Sequence, residues 1–145
     1  IASSLVGSEM CIRDSLKVES FRVDHGGLEE SFGFRFTSSD KVIVFSGDTG
    51  PSKVLESYAK DADILVHEVY SYAGFLNKTP DWQKYHKGHH TSTLELGEIA
   101  KRVRPKKLVL SHILFWGSTP DEIYEEISSV YDGEVIVAKD LMVIN

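Results

Sequence analysis

Apolar and polar residues alternate over residues 17–23 and again over 32–37, and both stretches are rich in β-branched and aromatic side chains. That is the pattern of half-buried strands. Between them, Asp24-His25-Gly26-Gly27 reads as a turn or loop. Three shorter runs, 41–46, 64–66 and 107–111, are apolar without alternation, as strands buried on both faces are. A helical period takes over in 51–60, with Pro51 in its first turn, in 92–103 and in 119–131. Ser92 and Glu95 fit a capping box, and Leu96, Ile99, Ala100 and Val103 make one apolar face before Pro105 ends the helix. Thr119 caps the next helix, with Pro120 at its first position and Glu122 three residues after the cap. Segments 134–137 and 141–144 read as closing strands. Residues 68–88 show neither period and read as a long polar and aromatic connection, a kind of loop that often serves as a lid. Strands alternating with helices predict a layered α/β domain.

Composition narrows this. The chain has 145 residues, 41% apolar and 26% charged, which suits a single domain. No apolar run reaches the roughly 20 residues of a membrane span, so no membrane partner is expected. A net charge of −6 opposes nucleic acid at long range, while a local basic patch could still bind it. Residues 4–15 show no period, and back-translation makes them resemble a transposase-end sequencing adapter. Residues 1–15 are therefore set aside as an artefact and biological sequence is taken to begin near Leu16. That removes Cys11, the one cysteine, and leaves 15 basic and 20 acidic residues, net −5. On this reading an upstream segment is missing, and the compartment cannot be read.

Candidate chemistry collects where three buried strands end. Val42-Ile43-Val44-Phe45 runs into Ser46-Gly47-Asp48-Thr49, Ile64-Leu65-Val66 into His67-Glu68, and Leu108-Val109-Leu110 into Ser111-His112. In open α/β sheets ligands bind at that edge. If these strands are neighbours, Asp48, His67, Glu68 and His112 converge, and His90 joins them from just before the helix capped by Ser92. Carboxylates with imidazoles suit a cation such as Zn²⁺, and Gly47 allows the tight turn that aims Asp48 inward. Each residue also has a plainer explanation. Asp48 could form an Asx turn, His67 could be a satisfied core histidine, Glu68 could be solvated, and His112 could bond a carbonyl. His86 reads as a surface histidine. Lys101, Arg102, Arg104, Lys106 and Lys107 surround a helix C-terminus, where cations are favoured, so their clustering reads as structural. Phe115, Trp116, Tyr70, Tyr72, Phe75 and Trp82 could line a pocket or simply pack.

Taken in order, Phe-Ser-Gly-Asp-Thr, Asp-Ile-Leu-Val-His-Glu, His-Thr-Ser-Thr and Leu-Val-Leu-Ser-His resemble the second half of a metallo-β-lactamase-fold hydrolase, in the ribonuclease Z and arylsulfatase-like branch. The resemblance covers nearly all of residues 16–145. It implies the C-terminal half of an αββα sandwich and two divalent metal ions, usually Zn²⁺, of which this chain would carry an incomplete site. It implies Asp48 and His112 as metal ligands, His90 as the acid that protonates the leaving group and Glu68 as the residue that orients His90. It puts His25 at the substrate mouth, and has His67 support the site without ligating. The reaction implied is hydrolysis of a phosphoester, sulfate ester or acyl-type substrate by a metal-bridging hydroxide.

Two departures qualify the resemblance. The family's His-x-His-x-Asp-His motif is absent. After His112, the serine-rich segment ending in Arg-Tyr is replaced by Ile113-Leu114-Phe115-Trp116-Gly117. The second departure favours a small ester substrate over tRNA, so nucleic acid is not the favoured partner, and a homodimer stays open. Two other readings are a ribonuclease Z-type tRNA 3′-processing endonuclease and a non-enzymatic α/β binding module.

Overall fold

The computed structural model describes residues 9–13 and 15–144. Among them seven strands form one sheet in sequence order: β1 (Glu9–Arg13), β2 (Leu16–Arg22), β3 (Phe32–Ser38), β4 (Val42–Phe45), β5 (Ile64–Tyr70), β6 (Lys107–Leu114) and β7 (Val135–Val137). The first four pair antiparallel through short connections. From β4 onward every pairing is parallel. Helices α1 (Lys53–Ala59), α4 (Thr93–Val103) and α5 (Pro120–Ser128) make the crossovers that parallel strands require.

These three helices cover one face of the sheet. Val44, Leu65, Leu108 and Leu110 from the strands meet Leu55, Leu96, Ile99, Ile123 and Ile127 from the helices, all buried. The other face carries Phe32, Phe34, Phe36, Phe45 and Val66 around an open cleft of about 370 Å³. Phe34 and Phe45 are each about two-fifths exposed there, at 41% and 42%. One sheet with one helical layer is half of an αββα sandwich, as expected.

The capping signals hold. Ser92 and Glu95 form a reciprocal capping box on α4, and Thr119 and Glu122 form another on α5. Other expectations need correction. Helix α1 is capped by Ser52, so Pro51 lies just before it. Strand β5 continues through His67 and Glu68 to Tyr70 because β6, its neighbour, also runs on to Leu114. The stretch read as a lid is two helices, α2 (Tyr72–Leu76) and α3 (Pro80–His89). Segment 141–144 forms no strand, and Leu141 is fully exposed. At the other end, β1 pairs with β2 although its sequence shows no period. An open edge supplies unpaired N–H and C=O groups that extended backbone of any origin can use. Residues 1–8 and 14 of the segment set aside lie outside the described residues.

Glu126, reaching back from α5, ties α2 to the helical layer. Its carboxylate accepts from Tyr72 N at 2.9 Å, Ala73 N at 2.9 Å, Ser71 Oγ at 3.3 Å and the Thr93 hydroxyl. Replacement by alanine leaves these donors without their charged acceptor. Glu126→Ala should lower stability by about 2 kcal/mol in urea unfolding, the scale of one or two charged hydrogen bonds; an unchanged midpoint would contradict this role.

Candidate active site

Strands β4, β5 and β6 are adjacent and parallel, so their carboxyl ends share one edge of the sheet. Two backbone features aim side chains across that edge. Gly47 follows β4 with φ +62°, and a Cβ built there would lie 2.5 Å from the Phe32 carbonyl oxygen. No side chain fits, and the turn this permits presents Asp48 to the cleft. The second feature is a β-bulge. Glu68 pairs with Ser111 and Val69 with Ile113, so His112 is an extra residue in β6, with φ +42°. The bulge re-aims His112 out of the ladder and brings its Nδ1 to 3.5 Å from Asp48 Oδ1.

Glu68 is 2% exposed. One carboxylate oxygen accepts from Thr91 N at 2.9 Å and Thr49 N at 3.3 Å; the other faces His90 Nδ1 at 3.3 Å. Amide N–H groups can only donate, so Glu68 acts as an acceptor and the ring N–H of His90 donates to it. Thr91 also donates its hydroxyl to Thr49 O at 2.7 Å, joining the two loops that hold the carboxylate. The His90 pKa is pushed up, first by the bond to Glu68, against burial and with help from the charges of Glu68 and Asp48.

Asp48, Glu68, His90 and His112 are therefore brought together. Ligand atoms of Glu68, His90 and His112 lie within 4.8 Å of one another. His25 lies beside them: its Nδ1–H donates to His89 O at 2.7 Å, and its ring meets His90 edge-on at 5.0 Å. His67 does not join the cluster. One residue before Glu68 on β5, it shares the helix-covered face with Leu65, is fully buried, and donates Nδ1–H to Glu68 O at 2.6 Å. Its Nε2 has no partner, and burial pushes its pKa down. His86, expected at the surface, is buried at 9% exposure between Trp82 and Trp116. Thr49, Thr91 and His86 were not legible as site residues, since hydroxyls in loops are common and α3 was read as a loop.

The donor set fits a divalent metal ion. Asp48 and His112 offer a carboxylate and an imidazole at the open cleft, with side chains 44% and 48% exposed. Glu68 and His90 are buried and turned to each other, 3.3 Å apart. Carboxylate with imidazole is the chemistry zinc accepts when thiolates are absent.

Comparison with known proteins agrees with this architecture. The profile of the beta-lactamase superfamily domain matches residues 6–113. Ribonuclease Z from Archaeoglobus fulgidus is 34% identical over 101 residues, which is 69% of this chain and 31% of that protein. The probable metallo-hydrolase YhfI of Bacillus subtilis is 30% identical over 108 residues, 74% of this chain and 41% of that protein. The crystal structure of YhfI superposes with a TM-score of 0.74 at 21% identity, covering 91% of this chain and 50% of that one. Human tRNase Z, short form, gives 0.67 at 25% identity, covering 99% and 47%. The chain belongs to the beta-lactamase superfamily and has the metallo-β-lactamase fold. It spans between three-tenths and about two-fifths of the length of the curated relatives it matches.

Two outcomes follow from this geometry. Gly47→Ala must move the Phe32 backbone or the turn, so it should cost at least about 2 kcal/mol of stability and displace Asp48; a neutral substitution would refute the need for glycine. His67 is held neutral by burial, whereas the unfolded chain would protonate it below about pH 6.5. The unfolded state then binds the extra proton, so stability present above that pH is lost as pH falls through it. His67→Asn should flatten the pH dependence of urea unfolding between about pH 5 and 6.5 by up to one proton; an unaltered slope would argue against a neutral His67.

Proposed function

We propose that this chain carries the leaving-group side of a metal-dependent phosphodiester hydrolase. The observation that carries the reading is the Glu68–His90 pair, buried beside Asp48 and His112. An alkoxide expelled from a phosphodiester is a poor leaving group and needs a proton. A buried carboxylate that accepts from His90 Nδ1 favours the charged imidazolium, and leaves its Nε2–H as the proton to be given. Asp48 and His112 would hold divalent metal ions, taken to be two Zn²⁺. Bound there, such ions supply Lewis acidity and an activated water. Glu68 orients His90 and compensates its charge. Thr49 and Thr91 hold Glu68 in place through their backbone N–H groups. His25, with Nδ1 committed to the His89 carbonyl, borders the site as a substrate contact.

The names of the relatives support phosphorus chemistry over sulfate ester or acyl substrates: several curated relatives are named ribonuclease Z. They also favour a second reading, a tRNA-processing endonuclease. Against it stands the basic group read from the sequence. Arg102 pairs with Glu56, Arg104 with Asp132, Lys106 with Asp63 and Lys107 with Glu134. Cations committed to carboxylates have less to offer an RNA backbone, and a smaller phosphodiester is favoured.

The test uses the full-length protein. Asp48→Ala and His112→Ala should each lower bound zinc and abolish hydrolysis of bis(4-nitrophenyl) phosphate. His90→Ala should keep the zinc and lose about 100-fold in rate on an ester with an unactivated leaving group. Unchanged zinc content and turnover in Asp48→Ala would refute the site. Faster cleavage of a tRNA 3′ extension than of small esters would establish the second reading.

A further inference from the structure

His86 lies four residues before His90, and the His90 N–H donates to the His86 carbonyl at 2.9 Å. That spacing puts both imidazoles on one side of the end of α3. Their rings stack, with centroids 5.5 Å apart and planes 26° from parallel. His86 is itself gripped by other rings. Trp82 lies against it at 4.1 Å, and Trp116 meets it edge-on at 4.7 Å. Trp116 in turn stacks on Tyr70, a core residue 2% exposed, at 5.1 Å. A continuous series of rings thus joins the core to His90.

Two features mark this arrangement as more than packing. The Nδ1 of His86 is buried without a partner, a desolvation cost that an apolar side chain would not incur. Trp116 adopts φ +47° and is followed by Gly117 at φ +100°, so the backbone takes a strained turn to lay the indole there. There is also a need for support. The bond from His90 to Glu68 is 3.3 Å, longer than the roughly 2.7–2.9 Å of a well-formed charged hydrogen bond. That bond alone fixes the imidazole plane weakly.

We propose that His86 is a positioning residue for His90: clamped by Trp82 and Trp116, its ring holds the His90 imidazole in the plane that lets it stay on Glu68 and face the leaving group. It gives Trp116 and the turn at Gly117 a part in the site. It deepens the assignment of His90 as proton donor and rests on it.

Two readouts test it. The first needs neither metal nor turnover. In metal-free protein, proton NMR reads the downfield N–H of His90 bound to Glu68, assigned by its loss in His90→Gln. The signal should persist in His86→Phe, which keeps a flat ring, and broaden or vanish in His86→Leu, which keeps bulk without one. The second uses full-length protein and two esters, bis(4-nitrophenyl) phosphate with a good leaving group and diphenyl phosphate with a poor one. His86→Leu should lose about tenfold more kcat on the second ester than on the first with KM unchanged, and His86→Phe should restore it. A persistent N–H signal in His86→Leu, or equal losses on both esters, overturns the proposal. If neither ester is hydrolysed, the reading of the reaction fails, and the NMR signal alone decides the role of His86.

Discussion

A carboxylate withdrawn from water has to be satisfied on all sides, and Glu68 is the point at which this protein meets that constraint. With 2% exposure it takes two backbone N–H groups, from Thr49 and Thr91, and the ring of His90. Those donors come from the loop after β4 and from the residue before the α4 cap. The carboxylate thus fixes two segments that are far apart in sequence, and removing any donor leaves a buried charge short of partners. The same anion stabilises the charged form of His90. The tie between two loops and the raised pKa of His90 are two consequences of one buried group.

Around that group, the backbone does the aiming. Gly47 turns so closely past Phe32 that no side chain fits, and Asp48 follows it. The bulge at His112 gives up one position of the β5–β6 ladder and turns an imidazole from the sheet toward that aspartate. Sheets place side chains at fixed intervals and on fixed faces. A site whose groups must meet across three strands needs local departures from that regularity. Here the departures sit at the carboxyl ends of parallel strands, where loops can vary without disturbing the core.

Much of this was legible in the sequence because it depends on local chemistry. The capping boxes at Ser92 and Thr119, the apolar face of α4 and the three buried strands are short-range patterns, and each is present, although β5 and β6 run further than the pattern showed. The meeting of Asp48, Glu68 and His112 followed from strand ends in order, and that of His90 from its place just before α4. What escaped depends on tertiary contact. Nothing around His112 marks a bulge, since a bulge is defined by the partner strand. The fate of His67 turned on pleat parity once β5 extended through it. Helices α2 and α3 pack through rings rather than an apolar stripe: Tyr72 stacks on Phe75, and Trp82 and His86 meet Trp116. Segment 141–144 is apolar in sequence yet forms no strand.

The division of labour among the four central residues is the claim on which the rest depends. Crystals of the full-length protein soaked in Zn²⁺ and measured at the zinc absorption edge would test it most directly. The account predicts anomalous peaks bound by Asp48 and His112, with His90 Nδ1 still on Glu68 and its Nε2 free toward the cleft. Zinc bound directly by Glu68 and His90, with their mutual hydrogen bond broken, would make His90 a ligand and contradict its role as proton donor.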